Sequence, residues 1–564
     1  MRKKLSLLVQ KALQTDIDPE LTIPEHSEFG HFSTNIAMRL ASERNEDPLK
    51  IAESIIEKVR ADGVKLVERV MVAGPGFINF WLQPKAIQEE FSAILKNKKT
   101  FGKSSSGKGK LVIVEYSQPN IAKPLHAGHL RNTILGDVLA NVHACTGHKV
   151  VRWNYLGDWG TQFGRVIAAW KRGSDEAELK KTPIEYLERL YVEFGKKAKE
   201  NDELADAGRE EFRKLEAGDR ENFKLWKRFK KESLKEIGEI YRMLGVRFDT
   251  YIGESSFRGD MSSLVKNMLD KGVAMRSEGA VIVPLEEFGL PPALIQKKDG
   301  ASLYHTRDIA AFDYRLKKHH PDRFLYVVGN EQTLHFAQLL AILKKLGLGR
   351  ECEVVHVKYG LLLGVGGKKM STREGTAVSV RGIIKKAITL ASDVVEKKNP
   401  NLSGRERKRV AEAVGIGALK YALLKENRMS DIVFDWDRML DFSGDSGPYL
   451  QYTRARLLSI IRKAGWRGKA DFTELSSDLE LALMRKIFEF PEEAERSLET
   501  FYVNNLAQHL NSLAVLANRF YESTPILKDE NKKRKNARLQ LIGMVSVVIE
   551  RELALLGIES PDNI

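Results

Sequence analysis

Cysteine is scarce in this chain of 564 residues. Its two cysteines, Cys145 and Cys352, are too few for a disulfide framework. Neither lies in a CxxC or Cys/His pattern with the spacing of a zinc site. The sequence therefore excludes a disulfide-stapled fold, and we expect no tightly bound metal.

Long apolar runs are also missing. No stretch of about 18 consecutive apolar residues is present, so the sequence offers no candidate membrane span. The basic N-terminus has an apolar run that stops at Gln10 and Lys11, which is more typical of an amphipathic helix than of a signal peptide. We therefore expect the protein to stay in the reducing cytoplasm. Because no heptad or other dimer seam is evident, we expect a monomer.

Acidic residues are outnumbered by basic ones. The chain has 91 Lys and Arg against 76 Asp and Glu, which gives a net charge of +15. Such a surplus favours a polyanionic partner, because each phosphate that a protein neutralises releases condensed counterions. A basic surface that binds nothing would have the same composition. The charge alone leaves both interpretations open.

Complete glycine-rich nucleotide loops are absent as well. Gly102, Gly107 and Lys108 match the first part of the GxxxxGK[ST] loop, but position 109 is glycine. This segment also precedes a predicted strand, so no helix N-terminus would face a phosphate. No GxGxxG opens the helix predicted after that strand. A P-loop and a dinucleotide site are both disfavoured.

The pattern that is present predicts an α/β multidomain protein. A chain of this length should form three or four domains. Residues 110–116 form a continuous β-branched run typical of a buried parallel strand. A helix with a one-sided apolar pattern over 128–146 and a strand near 150–153 complete a βαβ unit, which indicates a Rossmann-like sheet. Strand-like runs at 324–328 and 354–357 predict that this sheet resumes later in the chain.

We divide the chain into three parts. Residues 1–107 form a small α/β domain, with helical patterns at 36–41 and 49–59 and two strands joined by a turn at 70–82. Residues 108–404 form the Rossmann-like domain, with a charged helical insertion at about 173–250 to which we assign no chemistry. Residues 405–564 are predicted to be all-α.

Two histidines stand where the first strand of the Rossmann-like domain meets its helix. His126 and His129, with Gly128 between them, coincide with unpaired N–H groups and the positive end of the helix dipole. Imidazole N–H groups can donate to phosphate oxygens, and a glycine lets an adenine ring approach the backbone. A metal site lacks an evident third ligand. A structural role in capping the turn remains an alternative.

A second glycine-rich segment lies about 240 residues downstream. Gly364, Gly366 and Gly367 precede Lys368 and Lys369, and Met370 and Ser371 follow. A mobile basic loop of this kind can close over the β- and γ-phosphates of a nucleotide. By itself it could equally be a solvated basic turn. Its order after the histidine motif favours a shared site.

Together these segments resemble a known family. His126-Ala-Gly-His129 resembles the HIGH motif of the class I aminoacyl-tRNA synthetases, and Lys369-Met-Ser-Thr372 resembles their KMSK loop. Longer blocks resemble the arginyl-tRNA synthetases over nearly the whole chain. These blocks are Phe29-Gly with Thr34-Asn35, Pro119-Asn-Ile-Ala-Lys123, Gly157-Asp-Trp-Gly-Thr-Gln-Phe-Gly164, Ile416-Gly-Ala-Leu-Lys-Tyr421 and Pro448-Tyr-Leu-Gln-Tyr-Thr-Arg-Ala-Arg456.

The resemblance implies an arginine–tRNA ligase. Such an enzyme forms arginyl-adenylate from L-arginine and ATP with Mg²⁺, and then transfers arginine to the 3′ end of tRNA(Arg). It implies that residues 1–107 contact the elbow of the tRNA and that residues 108–404 are catalytic. It also implies that residues 405–564 contain a DALR-type anticodon-binding domain. The expected partners are tRNA(Arg), ATP and arginine, with no membrane.

The resemblance also implies roles for particular residues. Catalytic stabilisation of phosphate charge falls to His126, His129, Lys123, Lys369 and Ser371. The ATP-binding residues would be His126, Gly128, His129, Gly329, His335, Lys369 and Met370. The arginine-binding residues would be Glu115, Gln118, Pro119, Asn120, His129, Tyr304, Asp308 and Gln332. The tRNA-binding residues would be Tyr452, Arg454 and Arg456.

Three of these residues are implied as partners of the arginine guanidinium. Recognition of a planar guanidinium requires acidic groups, and the family implies that Tyr304 and Asp308 supply this contact with Glu115 on the same wall. Their spacing of four places Tyr304 and Asp308 on one helical face. A structural Asp–Arg or Tyr–Asp contact would have the same spacing, and spacing alone does not separate the two.

Two positions depart from the pattern of the family. Thr372 stands where many class I enzymes have the second lysine of KMSK, and Lys123 could supply the missing charge. The resemblance implies that activation of arginine requires bound tRNA. Gln118 stands where relatives often have serine, so a contact through that hydroxyl is in doubt.

Three other functions share parts of this pattern. The first is another class I synthetase, such as the one for cysteine or glutamate. A cysteine enzyme would need a zinc site, for which this chain has too few cysteines, and an acidic pocket of guanidinium size also argues for arginine. A synthetase-like RNA-binding protein without catalysis would not need the two histidines and the Lys-Met-Ser segment. A small-molecule adenylating ligase would not explain the terminal RNA-binding domains that the resemblance implies.

Overall fold

The computed structural model describes residues 1–259, 261–300, 303–367, 378–465 and 470–564. The chain divides into two compact units. The first comprises Met1–Gly102, Arg456–Glu492 and Asn511–Glu550, and the second comprises Lys103–Ala455, Glu493–Leu510 and Arg551–Ile564. Within the described ranges, no helix is both long and apolar enough to cross a membrane.

The N-terminal segment of the first unit has the small α/β fold predicted from the sequence. Its elements are α1 (Arg2–Leu13), β1 (Phe32–Thr34), α2 (Ile36–Arg44), α3 (Pro48–Asp62), β2 (Val67–Ala73), β3 (Phe77–Leu82) and α4 (Pro84–Lys96). The strands form an antiparallel sheet in the order β1-β3-β2. Ile78, Phe80 and Leu82 alternate along β3 and are buried, which explains its central position.

The second unit is built on a five-stranded parallel sheet. Its strands are β4 (Leu111–Glu115), β5 (Lys149–Asn154), β6 (Thr250–Tyr251), β10 (Arg323–Gly329) and β11 (Glu353–Tyr359). They lie in the order β11-β10-β4-β5-β6 and pair in parallel throughout. Val112, Ile113 and Val114 are fully buried, as expected for a central parallel strand. The predicted return of the sheet after the insertion is confirmed.

This strand order locates a crevice. From β4 the chain continues to β5 on one side and reaches β10 later on the other side. The strand order therefore reverses at β4, and ligands of open α/β sheets bind outside the carboxyl ends of the strands at such a reversal. The carboxyl ends of β4 and β10 are Glu115 and Gly329.

Helices and short strands surround this sheet. They are α5 (Ala127–Cys145), α6 (Thr161–Arg172), α7 (Glu176–Lys181), α8 (Pro183–Glu200), α9 (Asp202–Glu216), α10 (Arg220–Met243), α11 (Met261–Asp270), α12 (Tyr304–His319), α13 (Thr333–Leu346), α14 (Val380–Lys398), α15 (Gly404–Leu424) and α16 (Trp436–Met439). The charged region predicted to be helical holds α7 to α10. The chain continues through α17 (Gly447–Ala464), α18 (Asp478–Thr500), α19 (Asn504–Ser523) and α20 (Lys532–Leu555).

Some features were absent from the sequence-based prediction. The segment before α12 contains a three-stranded antiparallel sheet of β7 (Met275–Ser277), β8 (Ala280–Val283) and β9 (Ala293–Gln296). Two further short strands, β12 (Leu362–Leu363) and β13 (Ile432–Val433), pair in parallel. Strands this short carry too few alternating residues to be recognised from sequence.

The prediction that α5 is apolar on one side only was wrong. The helix is buried over most of its circumference, and its buried residues include Arg131, Asn132, Asp137 and His143. These polar side chains have partners inside the fold, so they are compatible with burial. A periodicity argument assigns such residues to solvent because it cannot foresee those partners.

Candidate active site

The turn between β4 and α5 has an unusual backbone. Three residues other than glycine have positive φ here: Ser117 at 72°, Gln118 at 48° and Ala122 at 64°. Side chains disfavour this left-handed region, so the surrounding structure must hold the turn. Asn132 does so from α5, because its Oδ1 accepts from the Ser117 N–H at 2.7 Å and its Nδ2 donates to Gln118 Oε1 at 3.0 Å.

The next part of this turn is held by Gly157. The Gly157 N–H donates to the carbonyl of Pro119 at 3.0 Å, and the Ile121 N–H donates to the carbonyl of Gly157 at 3.1 Å. A Cβ atom at Gly157 would overlap Oδ1 of Asn120. The glycine is therefore required for this close approach, which leaves Asn120 exposed beside the end of β4.

The two histidines of the HIGH-like motif form a reciprocal cap at the start of α5. The Gly128 N–H donates to Nδ1 of His126 at 3.2 Å, and the His126 N–H donates to Nδ1 of His129 at 3.2 Å. The ring centroids are 3.9 Å apart. Because both Nδ1 atoms accept, each neutral ring carries its proton on Nε2. Both rings thus have an N–H donor that the cap leaves available.

Burial keeps these imidazoles neutral. It lowers the pKa of His126, and burial together with the neighbouring His126 ring places the pKa of His129 well below its ordinary value. The two rings therefore present N–H donors without themselves being charged at neutral pH.

The segment that follows the KMSK-like loop lies beside these histidines. Ser379 forms an antiparallel bridge with His126, and the Val380 N–H donates to the carbonyl of Leu125 at 2.9 Å. The chain therefore passes next to His126 directly after the loop, at Ser379 and Val380. The predicted site residues Lys369, Met370 and Ser371 lie outside the described residues, as does Thr372.

Acidic groups gather behind the carboxyl ends of β4 and β10. Asp308 lies on α12 and accepts from Nε2 of His335 on α13 at 2.7 Å, so predicted arginine- and ATP-binding residues are in direct contact. Glu115 is buried, and its Oε1 accepts from Nε2 of Gln118 at 2.9 Å. Burial is the main cause that raises the pKa of Glu115, and the charge of Asp308 adds to this shift.

Glu115 already has a cationic partner. Nη1 of Arg315 lies 2.5 Å from its Oε2, and both side chains are almost completely buried. Burial raises the pKa of Glu115, and the Arg315 guanidinium opposes this shift. The Arg315 guanidinium also lies 4.7 Å from the ring of Trp153 and 4.8 Å from that of Tyr155. A structural carboxylate–arginine pair is thus present at Glu115, whereas Asp308 contacts His335.

The remaining predicted residues of this site lie around the crevice. Tyr304 begins α12, four residues before Asp308, and is 67% exposed. Gly329 ends β10, and Gln332 is exposed just before α13. Nζ of Lys123 lies 5.1 Å from the ring centroid of Tyr191 on α8.

The predicted tRNA-binding residues differ in their surroundings. Arg454 is buried and donates to the Ser560 carbonyl at 2.9 Å and to Asp562 at 2.8 Å. Arg456 donates to Asn518 at 3.1 Å, and the ring of Tyr452 contacts that of Phe442 edge-on. Their contacts with RNA stay predictions, and Arg454 additionally anchors the end of the chain.

Comparison with known proteins shows which family the chain resembles. Three family models cover most of the chain: the arginyl tRNA synthetase N-terminal domain over residues 1–82, the class I (R) tRNA synthetase catalytic domain over 90–436 and the DALR anticodon-binding domain over 450–564. The arginine–tRNA ligase of Clostridium acetobutylicum is 38% identical over 563 residues, with 99% of both chains covered. That of Enterococcus faecalis is 39% identical over 566 residues, again with 99% of both covered.

Solved structures agree. The arginyl-tRNA synthetase of Thermus thermophilus has a TM-score of 0.84 at 25% identity, with 100% of both chains covered. That of Plasmodium falciparum has a TM-score of 0.83 at 26% identity, covering 100% of this chain and 99% of the other. The chain belongs to the arginyl-tRNA synthetase family.

Within this arginyl-tRNA synthetase fold, Arg131 is a buried polar residue whose role the sequence did not predict. Arg131 on α5 donates to the carbonyls of Gly360 and Leu361 at 2.5 and 3.1 Å and to that of Arg428 at 3.1 Å. It thereby ties the HIGH-like helix to the segment that leads into the KMSK-like loop. The only sequence signal was an arginine inside a strongly apolar helix.

Replacing Arg315 by methionine should lower the free energy of unfolding by about 3–5 kcal/mol, because it leaves Glu115 as an uncompensated buried charge. Urea denaturation measures the effect. Lys317→Met on the same helix breaks the exposed pair with Asp313 and should cost only about 0.3–0.5 kcal/mol. Adding Glu115→Gln to Arg315→Met should restore part of the loss. Equal effects of Arg315→Met and Lys317→Met would contradict the pairing.

Proposed function

We propose that this chain activates L-arginine with ATP and Mg²⁺ and transfers the arginyl group to the 3′ end of tRNA(Arg). One observation carries the proposal. A neutral imidazole pair with Nε2–H donors opens the helix that follows β4, and the Asp308 carboxylate contacts His335 on the helix that follows β10, the neighbouring strand. The imidazole N–H groups can donate to phosphate oxygens, and the Asp308 carboxylate can accept from a guanidinium.

In the first step the arginine carboxylate attacks the α-phosphorus of ATP and displaces pyrophosphate. The carboxylate is already ionised at neutral pH, so this step needs no general base. Catalysis then rests on positioning the reactants and on stabilising phosphate charge. His126 and His129 donate from Nε2, Lys369 and Ser371 act from the loop, and Mg²⁺ neutralises the phosphates as part of the substrate.

The arginine side chain would be held at the acidic end of the crevice. Asp308 and Tyr304 bind its guanidinium, and Glu115, whose charge is paired with that of Arg315, forms part of the same wall. Asn120, Gln332 and His129 hold the α-amino and carboxylate end. In the second step a ribose hydroxyl of the terminal adenosine of the tRNA attacks the activated carbonyl and releases AMP.

We also propose finer features of this function. Residues 1–107 contact the elbow of the tRNA, and the DALR-type region reads the anticodon. Lys123 supplies the charge that Thr372 does not, and the enzyme acts as a cytoplasmic monomer. The proximity of Lys123 to the start of α5, three residues from His126, supports its part in this proposal.

Arginine-dependent exchange between ATP and pyrophosphate should require tRNA(Arg). The resemblance to the arginyl-tRNA synthetases implies this requirement, and we propose that it holds for this chain. The measurement is the exchange rate with tRNA(Arg), without RNA and with a non-cognate tRNA. Robust exchange in the absence of RNA would overturn the requirement. Failure to charge tRNA(Arg) with arginine, when each amino acid is tried in turn, would overturn the function itself.

A further inference from the structure

Helix α10 presents a stripe of lysines to solvent. Lys224, Lys227, Lys231 and Lys235 are all exposed, and their spacing of three, four and four residues places them on one face. At 1.5 Å per residue the stripe is about 16 Å long. Within the described ranges of the chain, none of the four forms an ion pair.

This stripe differs from the ordinary charged surface of the neighbouring helix. On α9 the basic residues Arg209, Arg213 and Lys214 each pair with an acidic residue three positions earlier. Such self-pairing makes a solvated face of nearly neutral charge. On α10, Glu221 and Glu232 stand three positions before Lys224 and Lys235, but neither pairs with those lysines, and Glu221 pairs instead with Lys171.

The opposite face of α10 contacts the active site. Nε1 of Trp226 donates to the carbonyl of Asp158 at 2.8 Å, and Nζ of Lys230 lies 2.5 Å from the Asp158 carboxylate. Glu239 pairs at 3.0 Å with Arg381, two residues from Ser379. The helix therefore contacts Asp158, which follows Gly157, and Arg381, which is close to the Ser379 that bridges to His126.

Two of these contacts fall on the turn with positive φ. The Ala122 N–H donates to Oγ of Ser233 at 3.3 Å. The hydroxyl of Tyr241 lies 2.6 Å from Oγ of Ser117, and it also accepts from Nδ2 of Asn154 at 3.0 Å. Ser117 and Ala122 are the outer two of the three residues with positive φ. Side chains of α10 thus support both ends of the strained backbone that carries Asn120.

We propose that the lysine stripe of α10 binds the phosphate backbone of tRNA and that the helix conveys this contact to the turn after β4. The inference rests on the proposed function in taking tRNA as the substrate. Lysine ammonium groups contact phosphates as point charges and carry no base recognition, so the contact is independent of sequence. A chain of net charge +15 favours such a partner.

Changing all four lysines to glutamine tests the surface. Binding of tRNA(Arg), measured by fluorescence anisotropy at several salt concentrations, should weaken about 10- to 100-fold at 0.15 M salt. The slope of log K against log salt should fall by roughly 3, because each of the four phosphate contacts contributes about 0.7–0.9. The corresponding change of all four lysines to arginine should retain binding. The control is a double variant, Lys266→Gln and Lys271→Gln, which removes exposed positive charge in the region of α11.

The proposed tRNA-binding role of the lysine stripe would be wrong if the salt-dependence slope of the glutamine variant were unchanged. It would also be wrong if the α11 control changed this slope equally. The binding assay does not depend on catalysis, so its failure is distinguishable from failure of the proposed function. In that second case wild-type protein would bind RNA but would not charge it with arginine. Circular dichroism of the glutamine variant should match wild type, because glutamine retains good helix propensity.

Tyr241→Phe tests the coupling. This variant keeps the ring and removes the hydroxyl that supports Ser117 and Asn154. With saturating tRNA, kcat for arginine-dependent exchange should fall about 3- to 30-fold while Kd for tRNA stays within about twofold. Tyr251→Phe, whose half-exposed ring lies near the same cluster through Phe248, is the control and should leave kcat unchanged. An unchanged kcat for Tyr241→Phe would overturn the coupling.

Discussion

Replacing His129 by alanine should lower kcat for arginyl-adenylate formation by about 10²–10³-fold. The variant removes an Nε2–H donor for phosphate and also the Nδ1 acceptor that holds the His126 N–H. Loss of one preorganised donor of this kind typically has an effect of that size. Exchange between ATP and pyrophosphate with saturating tRNA measures it, and circular dichroism verifies the fold.

The control for this variant is His320→Asn. His320 is exposed at the end of α12 and has a φ of 48°, which asparagine tolerates. It should leave kcat unchanged. If His129→Ala lost less than about fivefold in kcat, the role of the imidazole pair in stabilising phosphate charge would be wrong.

Replacing Asp308 by asparagine should raise KM for arginine by roughly 10²–10³-fold, with KM for ATP within about twofold. Asparagine has nearly the same shape and can still accept from His335, so the variant removes mainly the negative charge opposite the guanidinium. Removing one partner of a desolvated charge pair typically weakens binding by about 2–5 kcal/mol. Steady-state charging at varied arginine and varied ATP separates the two constants.

Asp313→Asn provides the comparison for Asp308. It lies on the same helix, pairs with exposed Lys317 and should leave both KM values unchanged. A rise in KM for arginine below about threefold in Asp308→Asn would mean that another carboxylate recognises the guanidinium. Glu115 would then be the next residue to replace, in a background that also removes Arg315.

The sequence alone predicted the elements and the order of the functional segments well. The β-branched runs at 110–116, 324–328 and 354–357 became β4, β10 and β11, because continuous apolar runs of this length have few stable alternatives to a buried parallel strand. The histidine motif fell at the start of α5 for an equally local reason, since its N–H groups and imidazoles cap one another. Local signals of this kind survive without knowledge of the fold.

The partners of buried polar groups could not be predicted in this way. Glu115 and Arg315 are 200 residues apart, and nothing in the spacing of either marks their pairing. The charged insertion showed only mixed-sign helices, whereas the structure directs one face of α10 to Ser117, Ala122 and Asp158. Burial of α5 on nearly all sides was missed because its polar residues have distant partners.

The amino-acid sequence by itself determined the family, the parallel strands and the two motifs that resemble HIGH and KMSK, because each depends on a short continuous stretch of residues. Only the tertiary structure decided which carboxylate in the crevice is already neutralised and which helix supports the strained turn. The physical reason is that a buried charge is defined by its counter-ion and its solvent exposure, and both are supplied by residues far away in the chain.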